Sequence, residues 1–303
     1  MARDLCIIGQ EKSESDIALL AEAKKKFDSV FFVPIDGIGI GLSETFSISY
    51  RSTNLFRFPA VFARIPRSYT SYAYQILSLF PAETFMPIKP LSFLIASERF
   101  FLLTVLRKRG VDTINLRLAK SKKAAERIIE SSEYPFTIRV PEKKTGVVVE
   151  KRMEARTLID ALASLNQTIM IEEMTKEMVS VFVAGHDILA SIKKKSKEKD
   201  IVFGLGSFKN TNINIDTEHL AREAASAIDS QVARIDISLD SDEPKVVNID
   251  LNPNLVIPSR LGGINIPEKV MEYIAETFST HLQRPLLVKF FEDARSVVKD
   301  VFK

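Results

Sequence analysis

The residues best suited to chemistry lie between Val232 and Asn254, in the stretch VARIDISLDSDEPKVVNIDLNPN. Alternating apolar residues run from Val232 to Ile237 and again from Val246 to Leu251, with the turn cluster Ser241-Asp242-Glu243-Pro244 between them. That is the pattern of a hairpin. Asp236 interrupts the first run, and Asp250 and Asn252 share one face of the second, because strand side chains alternate with period two. Three oxygen-bearing side chains are thereby expected at one end of the hairpin. Mg²⁺ takes ligands of this type, usually one or two carboxylates together with phosphate oxygens. A plainer role stands beside that one, in which Asp250 and Asn252 cap a strand end before Pro253.

The basic candidates are arginines and one lysine. Arg64 and Arg67 follow the buried run Ala60 to Ile65, at the strand edge where open α/β sheets receive their ligands. Together with Arg260 they could recognise a carboxylate by a two-pronged hydrogen bond. Each also reads as an ordinary surface arginine. Lys194 belongs to the run Lys193-Lys194-Lys195-Ser196-Lys197-Glu198-Lys199, which is either a solvated loop or a place to meet phosphate. Cys6 is the one cysteine and sits in an apolar strand, so a buried, inert thiol and a reducing, cytoplasmic setting are expected. His186, His219 and His281 lack metal-site spacing.

The whole chain bounds these readings. Its 303 residues allow a large core divided into two or three units. No apolar run reaches the roughly 18 to 20 residues of a membrane span, so no membrane partner is expected. The start MARDLCIIGQ reads as a strand and not as a signal peptide. A net charge of +3 is too small to argue for nucleic acid.

The elements that must position the candidates follow from periodicity. Residues 3–8, a helix from Ser13 to Phe27 and the strand Val30 to Pro34 read as β-α-β, with Ser13 or Ser15 as cap. Asp36-Gly37-Ile38-Gly39-Ile40-Gly41 follows the second strand and opens no helix, so it reads as a loop and not as a dinucleotide fingerprint. A helix spans Tyr72 to Phe80, and Pro87-Ile88-Lys89-Pro90 is a stiff boundary. Ser92 to Arg109 reads as one helix ended by Gly110. Then come a strand at Thr113 to Leu118, a helix from Lys122 capped by Ser121, a strand at Pro135 to Pro141 and a turn at Glu142 to Gly146. A helix at Ala155 to Ser164, a strand at Ile169 to Ile171 and a hairpin around Gly185-His186-Asp187 follow. The helix Thr217 to Ser230 feeds the hairpin of Asp236 and Asp250, and a last helix pattern starts at Ile266-Pro267.

In this order the pieces resemble the ATP-grasp superfamily, and within it the RimK-type glutamate ligases, over roughly residues 60 to 280. Four segments carry the resemblance. Ile95-Ala96-Ser97-Glu98-Arg99 with Arg109-Gly110-Val111-Asp112 is similar to the family's A-R-D-K…Q-G-I-D. Pro135-Phe136-Thr137-Ile138-Arg139 is similar to P-L-V-V-K, and Ile171-Glu172-Glu173-Met174 to the hinge V-Q-E-Y. Asp236…Asp250-Leu251-Asn252-Pro253 with Gly263-Ile264-Asn265-Ile266 is similar to V-D…E-V-N-x-S-P…T-G-I-D-I. The resemblance implies an α/β chain with an ATP-grasp fold, two α+β subdomains gripping nucleotide behind a Rossmann-like N-terminal domain. Its parts would be a pre-ATP-grasp domain at 1–90, a lid subdomain at 91–165 and a C-terminal subdomain with the metal site at 166–303.

The same resemblance implies ATP and Mg²⁺ as cofactors and an amide bond made through an acyl phosphate. Arg99 and Arg139 would take the places of two phosphate-touching lysines, and Glu172, Glu173 and Met174 the hinge beside adenine. Asp236, Asp250 and Asn252 would be the metal ligands. The partners would be ATP and a small carboxylate, an amino acid or a protein terminus, and a homo-oligomer is possible in such a family. The departures matter too. Arginine is not a lysine point charge. Asp250 is one methylene shorter than the family's Glu. The glycine-rich lid loop is shortened at 142–147, and Val202 and Gly204 stand where the family has Arg and Asn. Two readings follow: a working carboxylate–amine ligase, or a degenerate ATP-grasp scaffold that acts through a protein partner. Whether Arg99 and Arg139 point into one cleft with Asp250 discriminates between them; arginines that face solvent or form structural salt bridges would count against the ligase.

Overall fold

The computed structural model describes residues 3–42, 46–141, 146–195 and 207–283. The chain divides into two compact units, Met1–Pro90 with Asn265–Lys303, and Leu91–Ile264.

The first unit begins with β1 (Asp4–Gly9), α1 (Glu14–Ala23) and β2 (Ser29–Pro34). Ser13 starts α1 as expected: its hydroxyl accepts from the Asp16 N–H, and the Asp16 carboxylate accepts from the Ser13 N–H at 3.0 Å. This reciprocal capping box satisfies two of the helix's orphan donors. The glycine stretch read as a loop is instead largely a strand, β3 (Ile38–Leu42), paired antiparallel with β4 (Phe46–Tyr50), which pairs in turn with β5 (Thr53–Asn54). Ile38, Ile40 and Leu42 alternate with glycines, which is strand periodicity. At Gly41 a Cβ would lie 2.5 Å from the Ser47 hydroxyl oxygen, so glycine admits the partner strand. β6 (Ala60–Arg64) joins β1 and β2 in a parallel sheet of order β2-β1-β6, and α2 (Thr70–Ser78) follows. A β-α-β start of this kind is consistent with a Rossmann-like domain.

The second unit carries two sheets. The helix expected from Ser92 to Arg109 is broken into α3 (Pro90–Ser97) and α4 (Arg99–Lys108) by Glu98, which is extended at φ −113°, ψ 112°. The break makes Arg99 the first residue of α4. β7 (Leu116–Ala119), α5 (Lys122–Glu130, capped by Ser121), β8 (Phe136–Arg139), β9 (Gly146–Val149), α6 (Arg152–Ser164) and β10 (Ile169–Glu173) form the first layer pair. Its sheet has the order β7-β10-β8-β9. Ala125 and Ile129 of α5 and Ala155 and Ile159 of α6 pack on Phe136, Ile138, Val149, Ile169 and Ile171. Period-two alternation therefore turns Thr137, Arg139, Met170 and Glu172 to the opposite face.

The second sheet comprises β11 (Met178–Ala184), β12 (Asp187–Lys195), β13 (Ser207–Asn210), then, after α7 (Ile215–Ala227), β14 (Val232–Ser238) and β15 (Lys245–Asp250). Its order is β13-β12-β11-β14-β15. Gly185 turns the β11–β12 hairpin at φ +59°, a conformation glycine adopts without strain. α8 (Val256–Gly262) ends at Gly263 with φ +66°. β13 and α8 carry too little pattern to be read from sequence.

α9 (Ile266–Gln283) departs from the expected C-terminal subdomain and belongs to the first unit. Its apolar face explains this. Phe278 is fully buried and lies 6.0 Å from the Phe27 ring and 5.7 Å from Phe85, while Asn265 Nδ2 donates to Glu22 of α1 at 3.1 Å. The segment 284–303 lies outside the described residues, as do the turn 142–145 and the positions Val202 and Gly204.

Candidate active site

On the face of the β7-β10-β8-β9 sheet opposite α5 and α6, Arg139 of β8 and Glu172 of β10 are near neighbours, because Met170 pairs with Arg139 and Glu172 with Thr137. Arg139 is ion-paired with Glu172. Arg99 meets the same carboxylate at 2.5 Å, and its Nε donates to the Val247 carbonyl at 3.0 Å. That carbonyl is available because β15 bulges. Asp236 pairs with Asn248 and Ile237 with Val246, which leaves Val247 as an extra residue. Glycine at position 146 leaves the space Arg139 needs, since a Cβ there would lie 3.3 Å from the Arg139 Nε.

All three side chains are buried, Arg99 and Arg139 at 8 % exposure and Glu172 at 3 %. Two guanidiniums share one carboxylate, so the cluster keeps an excess positive charge out of water, which is costly unless an anion completes it. Among the described residues the Arg139 Nε is a buried donor with no hydrogen-bond partner. An orphaned buried donor is rare enough in a folded protein to require an explanation.

The hinge residue Glu173 accepts from the backbone N–H and side-chain amide of Asn115, both at 3.1 Å, and faces Lys245 at 3.6 Å. Met174 is half-buried just after β10. The Lys194 backbone lies in β12, and its side chain is outside what the structure describes.

The expected metal ligands have a different surrounding. Asp236 is fully buried. Its Oδ1 accepts from the Ser180 hydroxyl at 2.6 Å and from Arg234 Nε at 3.0 Å, and its Oδ2 from Arg234 Nη2 at 3.1 Å and Asn248 Nδ2 at 3.3 Å. Asp250 Oδ1 accepts from the Asn252 backbone N–H at 2.9 Å, a strand-end cap, and Asp250 Oδ2 lies 3.3 Å from Arg234 Nη1. Arg234 thus stands between the two carboxylates. Burial works against its charge, but Asp236 and Asp250 outweigh burial and hold the guanidinium above its ordinary range. Among the described residues no three His, Cys, Asp or Glu side chains cluster as a metal centre. Every carboxylate oxygen of the pair already faces a donor, and a guanidinium occupies the space between them. In this arrangement the set does not fit a resident divalent ion.

The remaining candidates separate. Arg64 is buried and donates through Nε to Asp16 Oδ1 at 2.6 Å, so the residue that caps α1 also holds the end of β6. Arg67 and Arg260 are exposed, the latter on α8. Cys6 is fully buried, and burial pushes its thiol up to about 12, which leaves no thiolate near neutrality. Arg234 was not legible as a site residue. The signal available was its period-two spacing from Asp236; its register opposite Asp250 needed the sheet.

A family model described as a RimK-like ATP-grasp domain matches residues 96–274. The chain belongs to the RimK-like ATP-grasp family. Among the relatives of this RimK-like chain is the ribosomal protein bS6–L-glutamate ligase of Escherichia coli O81 (strain ED1a), 26% identical over 246 residues, covering 77% of this chain and 82% of that protein. The probable alpha-L-glutamate ligase of Serratia proteamaculans (strain 568) is 26% identical over 242 residues, 76% of this chain and 81% of its own. In fold, the chain is similar to the ATP-grasp ligase PsnB complexed with minimal precursor, Mg and ADP, with a TM-score of 0.71, 11% identity, and 91% and 98% of the two chains covered. The RimK domain ATP-grasp protein of Sphaerobacter thermophilus gives a TM-score of 0.69 at 12% identity, covering 89% and 98%. The RimK-like fold is therefore an ATP-grasp fold. Among the described residues no helix is long and apolar enough to cross a membrane.

Proposed function

We propose that the chain is an ATP-dependent carboxylate–amine ligase. In the reaction a carboxylate oxygen attacks the γ-phosphorus of ATP and ADP leaves. The amine nitrogen then attacks the acyl carbon, phosphate leaves and the amine gives up a proton, so the products are an amide, ADP and inorganic phosphate. There is little covalent work for the protein in such a sequence; it must hold negative charge in place and align the reactants.

One observation carries this reading: Arg99 and Arg139 converge, buried, on a single carboxylate, and the Arg139 Nε lacks a partner among the described residues. Such a cluster suits a polyphosphate, because charge-assisted hydrogen bonds from guanidinium to phosphate are strong and directional. The salt bridges to Glu172 taken alone count against the ligase; the unpartnered Arg139 Nε beside them supports an anion site, with Glu172 holding the two guanidiniums in place until the nucleotide arrives. Glu173 and Met174, at the end of β10, are the proposed contacts of adenine. Mg²⁺ is proposed as the counter-ion of the nucleotide, since the PsnB structure holds Mg and ADP. The relatives named for glutamate ligation to ribosomal protein bS6 and the solved ligases with precursor peptides support a glutamate or peptide substrate. Arg260, exposed on α8, is the proposed residue for its carboxylate.

Calorimetric titration with ATP, followed by assay of ADP release with glutamate and acceptor peptides, tests the proposal. Micromolar ATP binding and ADP release that requires both a carboxylate and an amine are expected. No binding at millimolar ATP would overturn the ligase and point to the scaffold.

A further inference from the structure

Two carboxylates brought together on adjacent strands need a cation between them, and this chain carries its own. Asp236 and Asn248 lie opposite one another, as do Arg234 and Asp250, and Ser180 continues the first row on β11. Arg234 forks Asp236 with Nε and Nη2 and reaches Asp250 with Nη1. One guanidinium thus spends three of its nitrogens on two carboxylates, a geometry that its planar fork supports and a lysine could not. The pair below it is sealed: Asp236 is fully buried, and Ser180 and Asn248 fill its remaining acceptor positions.

We propose that Arg234 is the built-in counter-cation of this carboxylate pair, standing in for a divalent metal ion, so that the protein alone binds no Mg²⁺ or Mn²⁺ there. A free divalent ion approaching Asp250 meets a fixed positive charge, and it would have to expel that charge from a half-buried hydrogen-bonded fork before coordinating. Breaking one side of such a pair leaves an uncompensated buried carboxylate. Without the guanidinium, the same Asp236, Asp250 and Asn252 become an oxygen-rich pocket of net negative charge, which is what a hard cation seeks. The inference stands beside the ligase reading: Mg²⁺ is expected to arrive with the nucleotide, while Arg234 neutralises the carboxylate pair in the protein alone.

The test titrates Mn²⁺ alone, without nucleotide, into the full chain and reads free Mn²⁺ by electron paramagnetic resonance. Wild type is expected to show no saturable site. Arg234→Gln and Arg234→Gly are expected to gain one, on the order of 10- to 100-fold tighter than any residual wild-type binding. The site should vanish again when Asp250→Asn is added to Arg234→Gln. Mn²⁺ should also raise the melting temperature of the Arg234 variants and not that of wild type. Arg234→Gln keeps an amide donor for Asp236, so it decides the matter if Arg234→Gly fails to fold. Saturable Mn²⁺ binding to wild type that Asp250→Asn removes would overturn the proposal. So would a folded Arg234→Gln, checked by circular dichroism, that binds Mn²⁺ no better than wild type. ATP binding is read separately by calorimetry: its absence sinks the ligase, while the Mn²⁺ result still judges Arg234.

Discussion

At the scale of single residues, arginine meets a buried carboxylate at three places among the described residues: Glu172, Asp236 and Asp16. At the first, Glu172 is shared by Arg99 and Arg139. Glu172→Ala would leave two guanidiniums buried against each other, and the expected loss is about 3–5 kcal/mol of unfolding free energy, read by urea denaturation. ATP should raise the melting temperature of that variant by more than it raises wild type, because the nucleotide restores the missing negative charge. Arg139→Ala should weaken ATP about tenfold or more while changing AMP little, since a charge-assisted hydrogen bond contributes about 1.5–3 kcal/mol. Equal losses for both nucleotides in calorimetry would mean that Arg139 does not meet the distal phosphates. These two arginines were singled out by the resemblance of their segments to the family's motifs, and the structure brings both to one carboxylate. Arg234 was not. Its meaning depends on which residue of β15 lies opposite, and cross-strand register is set by the bulge at Val247, which no local pattern announces. Arg64 failed in the other direction: its position at a strand end suggested a ligand, but Asp16, far away in sequence, had already claimed it.

At the scale of elements, caps and turns followed the sequence closely. Ser13 and Ser121 cap their helices, and Gly185 turns its hairpin. Gly263 ends α8 in the left-handed region, with nothing within 4 Å of where a Cβ would stand. Gly263→Ala should therefore cost about 1–2 kcal/mol in thermal or urea unfolding through backbone strain alone, with no clash to relieve. The break at Glu98 was not visible, because neither glycine nor proline marks it; the ion pair and hydrogen bond of Arg99 hold the chain there after folding. Glu22 of α1 gives a pH dependence. The hydrogen bond from Lys25, and beyond it that from Asn265, hold the Glu22 carboxyl below its usual range despite burial. A carboxyl depressed in the folded state stabilises above its unfolded value and loses that contribution as pH falls through the folded value. Glu22→Gln should therefore lower the melting temperature at about pH 7, and the gap to wild type should close as pH drops below about 4.

At the scale of the whole molecule, much of the order of strands and helices was readable, though not β3 to β5, β13 or α8, and the partnership of distant segments was not. α9 was visible as a helix from its periodicity. Its docking on Phe27 and Phe85 depends on ring contacts that bridge most of the chain. Phe278→Ala, fully buried between those rings, should cost about 3–5 kcal/mol. The loss should appear in hydrogen exchange as faster opening of β1, β2 and β6 and not of the sheet that carries Arg139.

The first unit is written in two pieces, with the second unit encoded between them. On a ribosome this has an ordered outcome. Residues up to Pro90 leave the exit tunnel with the apolar surface meant for α9 still wet, and they wait while 174 further residues, Leu91 to Ile264, are made. At about 5–20 residues per second that wait lasts on the order of ten seconds or more. The inserted unit, whose sequence is continuous, can finish first. The N-terminal segment is then the part of the nascent chain most in need of a chaperone, and a stalled or truncated message would release it with that surface open.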